Sequence, residues 1–127
     1  MTDDQLSRRE RQIMDAVFEH GEASANQVLD SITDPPSRTA VRTFLRILVD
    51  KGHLTQRLVG REMFYKPTRP RTQAGRSAFQ RVLQTFFDGS IEKAFAAHLA
   101  DGNVDLSEDE LKRLAGLIRE ARKKERQ

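Results

Sequence analysis

The hydrophobic residues of this 127-residue chain change their period at Asp50-Lys51-Gly52, and no other feature restricts the fold as strongly. Upstream, Val41, Phe44, Leu45 and Leu48 fall at i, i+3, i+4 and i+7, one face of a helix that Ser37 is placed to cap. Downstream, HLTQRLV and MFYK favour β structure and are joined around Gly60-Arg61, which predicts a hairpin with a basic tip. Pro67 and Pro70 close that unit.

Two helices are predicted ahead of it, the second of them short. Ser7 and Glu10 form an S-x-x-E capping box with Leu6 in front, and the stripe Ile13, Ala16, Val17, Phe18 runs to a stop at Gly21. Ser24 and Gln27 repeat the box, and Val28, Leu29 and Ile32 follow until Pro35-Pro36 forbids continuation. Three helices and a hairpin within about 65 residues is the order of a winged helix-turn-helix, whose third helix enters the major groove of DNA.

Beyond Pro70 the pattern is helical to the end. Phe79, Val82, Leu83 and Phe86 recur at helical spacing, with Phe87 beside them, up to Gly89. Ser90 opens a shorter helix carrying Ile91, Ala94, Phe95 and Leu99, which Asp101-Gly102-Asn103 breaks. Ser107 and Glu110 make a third capping box, and Leu111, Leu114, Ala115 and Ile118 form the last stripe before the polar tail ARKKERQ. The expected fold is therefore mainly α with a small β-hairpin wing. Residues 1–70 make a winged-helix DNA-binding domain and residues 71–127 a helical dimerisation domain.

Composition supports both halves of that expectation. Hydrophobic residues are 37% of the chain and charged residues 32%, a thin core of the kind completed by a second copy. A homodimer is expected, with Phe79, Val82, Leu83, Phe86, Phe87, Phe95, Leu111, Leu114 and Ile118 supplying the shared core. Charge is unevenly placed: residues 1–36 hold three basic and eight acidic side chains, residues 37–68 seven and two. Such a reversal suits a surface built for a polyanion.

The third helix concentrates this charge. Arg38, Arg42 and Arg46 stand at i, i+4, i+8, flanked by Ser37, Thr39 and Thr43, with no acid between Ser37 and Val49. Arginine pairs bidentately with guanine, threonine meets thymine methyls, and hydroxyls at a helix start bind phosphate. A solvated amphipathic helix is the plainer account, yet it would ordinarily carry neutralising i, i+4 acids. A winged helix used for protein contact, without operator binding, is the alternative function. The cations of the last helix are interleaved with Glu108, Asp109, Glu110 and Glu120, which fits a solvated helix better than a second DNA contact.

Several classes of chemistry find no support. The chain has no cysteine, and His20, His53 and His98 lie in different elements without metal-ligand spacing. No acid pair accompanies a nucleophile or a phosphate loop, so neither an enzyme nor a cofactor is expected. No apolar run approaches the ~20 residues of a membrane span, and the N-terminal stretch lacks a signal-peptide core, so a soluble cytoplasmic protein is expected.

The pieces LSRRERQIMDAVFEHGEASANQVLDSI, SRTAVRTFLRILVDKGHL, REMFYKP and DLSEDELKRL together resemble the penicillinase repressor family of bacterial transcription regulators, the BlaI/MecI/CopY type. The resemblance runs from about Leu6 to Arg119. It implies a homodimeric winged-helix repressor seated on a dyad operator. In antibiotic-type relatives, repression is relieved when a membrane sensor, a metalloprotease encoded nearby, triggers proteolysis. Carried onto this chain, base and phosphate contacts fall on Ser37, Thr39, Arg42, Thr43 and Arg46, and a wing contact to the DNA backbone on Arg61. Arg42-Thr43 matches the family's recurring Arg-Thr pair. The copper-responsive branch's cysteine cluster is absent, and Ala97-His98 stands where antibiotic-type relatives carry their Asn-Phe cleavage pair. Relief through loss of the dimer is the remaining expectation, with Phe95–Asn103 as the weakest segment.

Overall fold

The protein is described by a computed structural model covering residues 6–102 and 105–126. Among these residues the order is α1 (Arg8–His20), β1 (Ala23–Ser24), α2 (Ala25–Ser31), α3 (Arg38–Asp50), β2 (Leu54–Val59), β3 (Glu62–Pro67), α4 (Arg71–Phe86), α5 (Ile91–Ala100) and α6 (Glu108–Arg126). Backbone contacts divide the chain into two compact units, residues 1–82 and 83–127, with the division inside α4.

Local chemistry starts the first three helices where the sequence predicts. The Ser7 hydroxyl accepts from the Glu10 N–H while the Glu10 carboxylate accepts from the Ser7 N–H, and Ser24 and Gln27 exchange the same pair of bonds. Ser37 caps α3 by accepting from the Ala40 N–H. Just before it the chain turns through Asp34 at φ +56°, where the Arg9 guanidinium donates to the Asp34 carbonyl. Gly52, at φ +85°, ends α3 and turns the chain into the wing, with its N–H on the Val49 carbonyl.

The wing is a three-stranded antiparallel sheet of order β1-β3-β2, one strand more than a hairpin. Gln56 stands opposite Tyr65 and Leu58 opposite Met63, while Arg57 stands opposite Phe64 on the other face. The added strand pairs Ala23 with Tyr65 and Ser24 with Phe64. Two residues hold no alternation to read, so β1 exists through its partner.

The core of the first unit joins Ile13, Val17, Val28, Val41, Leu45 and Leu48 with Leu54 and Tyr65 of the sheet. A half-buried ion pair lies beside it: the Lys51 ammonium is 2.8 Å from the Glu10 carboxylate, tying the end of α3 to the start of α1. That bond, with the Ser7 N–H, holds the Glu10 carboxyl at about 2, far below the usual carboxylate range.

In the second unit, Ser90 and Ser107 cap α5 and α6 by accepting from the Lys93 and Glu110 N–H groups. The break after α5 is described as far as Gly102; Asn103 lies outside the described residues. Helix α6 does not stop at its last apolar stripe but runs through the polar tail to Arg126. Ala, Arg, Lys and Glu are strong helix formers, and the basic last turn suits the negative end of the helix dipole. No helix among the described residues is long and apolar enough to cross a membrane.

Candidate nucleic-acid interface

Helix α3 divides sharply by face. Val41, Leu45 and Leu48 are fully buried, whereas Ser37, Arg38, Thr39, Arg42, Thr43 and Arg46 are all exposed. Burial of the apolar stripe against α1 and α2 therefore fixes which way the arginines point. The Thr43 hydroxyl donates to the Thr39 carbonyl one turn back.

Between α3 and the wing lies an open groove. Thr39, Arg42, Thr43 and Arg46 line it from the helix, and Arg61 lines it from the wing tip. Five of the seven side chains expected to touch DNA thus share one surface, while Ser37 and Arg38 stand outside the groove at the start of α3. Leu58, Met63 and Val59 give the wing side an apolar wall, and Glu62 is the acid among the lining residues. Leu58 is 64% exposed, an unusual position for leucine unless something else comes to cover it.

Three further groove residues, Asn26, Gln56 and Tyr65, carry no charge and are not among the residues expected to touch DNA. Strand alternation, once the register is known, is the signal that places Gln56 and Tyr65 together. The same alternation removes a cation. Arg57 belongs to the opposite face of the sheet, where its guanidinium makes a two-pronged bond of 2.7 Å and 2.7 Å to the Glu22 carboxylate. This pairing holds the Glu22 carboxyl below its ordinary range and raises Arg57 above its own.

The apolar residues expected to bind a second copy are unevenly placed. Phe79, Val82, Phe86, Phe95, Leu111 and Ile118 are exposed, and Phe87 and Leu114 are half-buried. Leu83 is already buried at 3%, so almost no surface of it is left for a partner. Ile91, Leu99 and Leu117 are exposed as well and extend the apolar set. No cluster of three or more His, Cys, Asp or Glu side chains suited to a metal occurs among the described residues.

The family model described as penicillinase repressor matches residues 6–120. Among solved structures, a mutant MarR from E. coli superposes with a TM-score of 0.51 at 15% identity, covering 92% of this chain and 78% of that one. A mutant MarR from E. coli complexed with operator DNA gives 0.51 at 15% identity, covering 92% and 76%. The YusO protein from Bacillus subtilis gives 0.48 at 16%, covering 93% and 75%. The two MarR structures share the winged-helix fold. No curated protein matches the sequence.

Proposed function

The chain belongs to the penicillinase repressor family, and we propose that it represses transcription by holding a two-fold operator as a homodimer. Its family is one of regulators rather than enzymes. The observation that carries the proposal is the groove lined by Arg42 and Arg46 from α3 and Arg61 from the wing, with Thr39 and Thr43 in the same wall. Recognition helix and wing together have the form of a clamp on one DNA strand, with α3 in the major groove. Ser37 and Arg38, at the exposed start of α3, extend the contact to the neighbouring backbone.

Two copies are required because one winged helix reads only a half-site. The exposed apolar residues of α4, α5 and α6 supply the surface through which the copies join. Linking two half-sites raises the effective concentration of the second binding event and so the affinity of the pair. Relief of repression in the cytoplasm then follows from loss of the dimer, by proteolysis under a membrane metalloprotease sensor or by another cut in the segment after Phe95.

The test is footprinting of the full-length protein on the DNA upstream of its own gene, followed by titration at rising salt. Protection of a dyad sequence, with affinity falling steeply between 50 and 200 mM salt, is the expected result, because each neutralised phosphate releases counterions. Absence of protection with salt-insensitive binding would favour a protein-contact module instead.

A further inference from the structure

Tyr65 is buried to 7% exposure as part of the core cluster, yet it also lines the groove between α3 and the wing. Its ring accounts for the packing. Its hydroxyl adds nothing to that packing, and it is not among the polar atoms shut away from water without a partner. A buried tyrosine ordinarily gives its hydroxyl a hydrogen-bond partner. None of the side-chain hydrogen bonds described among these residues engages the Tyr65 hydroxyl, which is left accessible. That donor meets the groove.

Its neighbours there are suited to an anion. Gln56 is the direct cross-strand partner of Tyr65, so the two side chains stand side by side on the groove face of the sheet. Arg42 faces them from α3, close enough that its charge opposes the upward push burial gives the Tyr65 phenol. Arg38, one turn earlier on the same helix, is not part of the groove wall. A winged helix lays its wing against the sugar-phosphate backbone that borders the major groove entered by its recognition helix, so a backbone phosphate comes near the wing side of this groove.

We propose that Tyr65 and Arg42 together seat one backbone phosphate of double-stranded DNA, the phenol hydroxyl and the guanidinium each donating to a non-bridging oxygen, with the Gln56 amide beside them. The inference rests on the DNA-binding function above and refines it. Arg42, which the arginine row of α3 suggests as a base reader, becomes a positioning residue, and reading of bases falls to Thr39, Thr43 and Arg46. Tyr65 becomes a DNA contact built into the core, so wing packing and phosphate position are set by one side chain.

The experiment titrates full-length wild type, Tyr65→Phe and Arg42→Ala against the footprinted promoter duplex and a random duplex of equal length. Tyr65→Phe should lower affinity for both by the same factor, about tenfold, with the salt slope unchanged, because a neutral hydrogen bond to a charged group is lost. Arg42→Ala should also weaken both equally and lower the slope by about one unit. A second arm replaces single phosphates of the promoter duplex by neutral methylphosphonates. One position should penalise wild type and leave both variants indifferent, and the exposed Arg42 allows this arm even if Tyr65→Phe proves unstable. Unchanged affinity in Tyr65→Phe, or loss confined to the promoter duplex in Arg42→Ala, overturns the phosphate seat while leaving operator binding intact. If wild type binds neither duplex in a salt-dependent way, DNA binding itself is overturned.

Discussion

Glu10 is an acid that folding has taken out of water. Its carboxyl falls from 4.5 to about 2 because Lys51 and the Ser7 N–H stabilise only the charged form. The folded state therefore holds its proton more weakly than the unfolded chain does. The stabilisation is complete above about pH 4.5, declines as pH falls, and is gone below about 2. Lys51 keeps 34% of its side chain exposed, so solvent screens part of the pair, and a contribution of about 2 kcal/mol is a fair magnitude. Glu10→Gln should lower stability near neutral pH by about that amount and flatten the acid limb between pH 4.5 and 2. Urea titrations at several pH values measure both effects; parallel acid limbs in the two proteins would remove Glu10 from this role.

Helix and wing divide the work of binding differently. Arg46 projects from the exposed face of a rigid helix, where a base-edge contact has a defined geometry. Arg46→Ala should cost about 1–3 kcal/mol on the operator and relax sequence preference at one position. Arg61 sits at the turn of a short sheet and suits a backbone contact. Its replacement by Ala should weaken operator and random DNA alike and lower the salt slope by about one unit. Fluorescence anisotropy on both duplexes at several salt concentrations separates the two patterns, and matching losses from both variants would contradict the division. Helix α5 is the shorter of the two helices that bury no residue. Its ten residues contain none that is buried, and a helix of that length has little stability apart from its packing. A site-specific protease sequence inserted at Asp101-Gly102 and then cut should abolish operator binding, because α6 leaves with its share of the dimer surface. A cleaved protein that stays dimeric and binds as before would point to a different switch.

At the scale of the whole molecule, apolar surface argues for two copies. Phe86 at 73%, Leu117 at 68% and Ile118 at 63% exposure are joined by Phe79, Val82, Ile91, Phe95, Leu99 and Leu111, more than singly scattered apolar side chains account for. Phe95→Lys combined with Ile118→Lys should convert the full-length protein to a monomer in sedimentation at micromolar concentration. Half-site binding should survive, since the first unit carries the groove, while affinity for the complete dyad should fall roughly 100-fold or more. A double variant that still sediments as a dimer would move the interface elsewhere.

Much of this organisation is legible along the chain because its causes are local. Ser7, Ser24, Ser37 and Ser90 cap helices through bonds to N–H groups three residues away, and the stripe Val41, Leu45, Leu48 turns the arginines outward within a single helix. Other features depend on residues far apart in sequence. Strand β1 exists because β3 returns to pair with it, some forty positions later. Glu10 meets Lys51 forty-one positions away, and Glu22 takes Arg57 out of a basic stretch that composition counts as one surface. Tyr65 enters the groove because its strand lies beside Gln56 and faces Arg42. Propensity, capping and periodicity act over about one helical turn, so the chain writes its elements and their polar faces directly. Which charges remain free, and which residues come to line the groove, depends on contacts that form only when those elements pack.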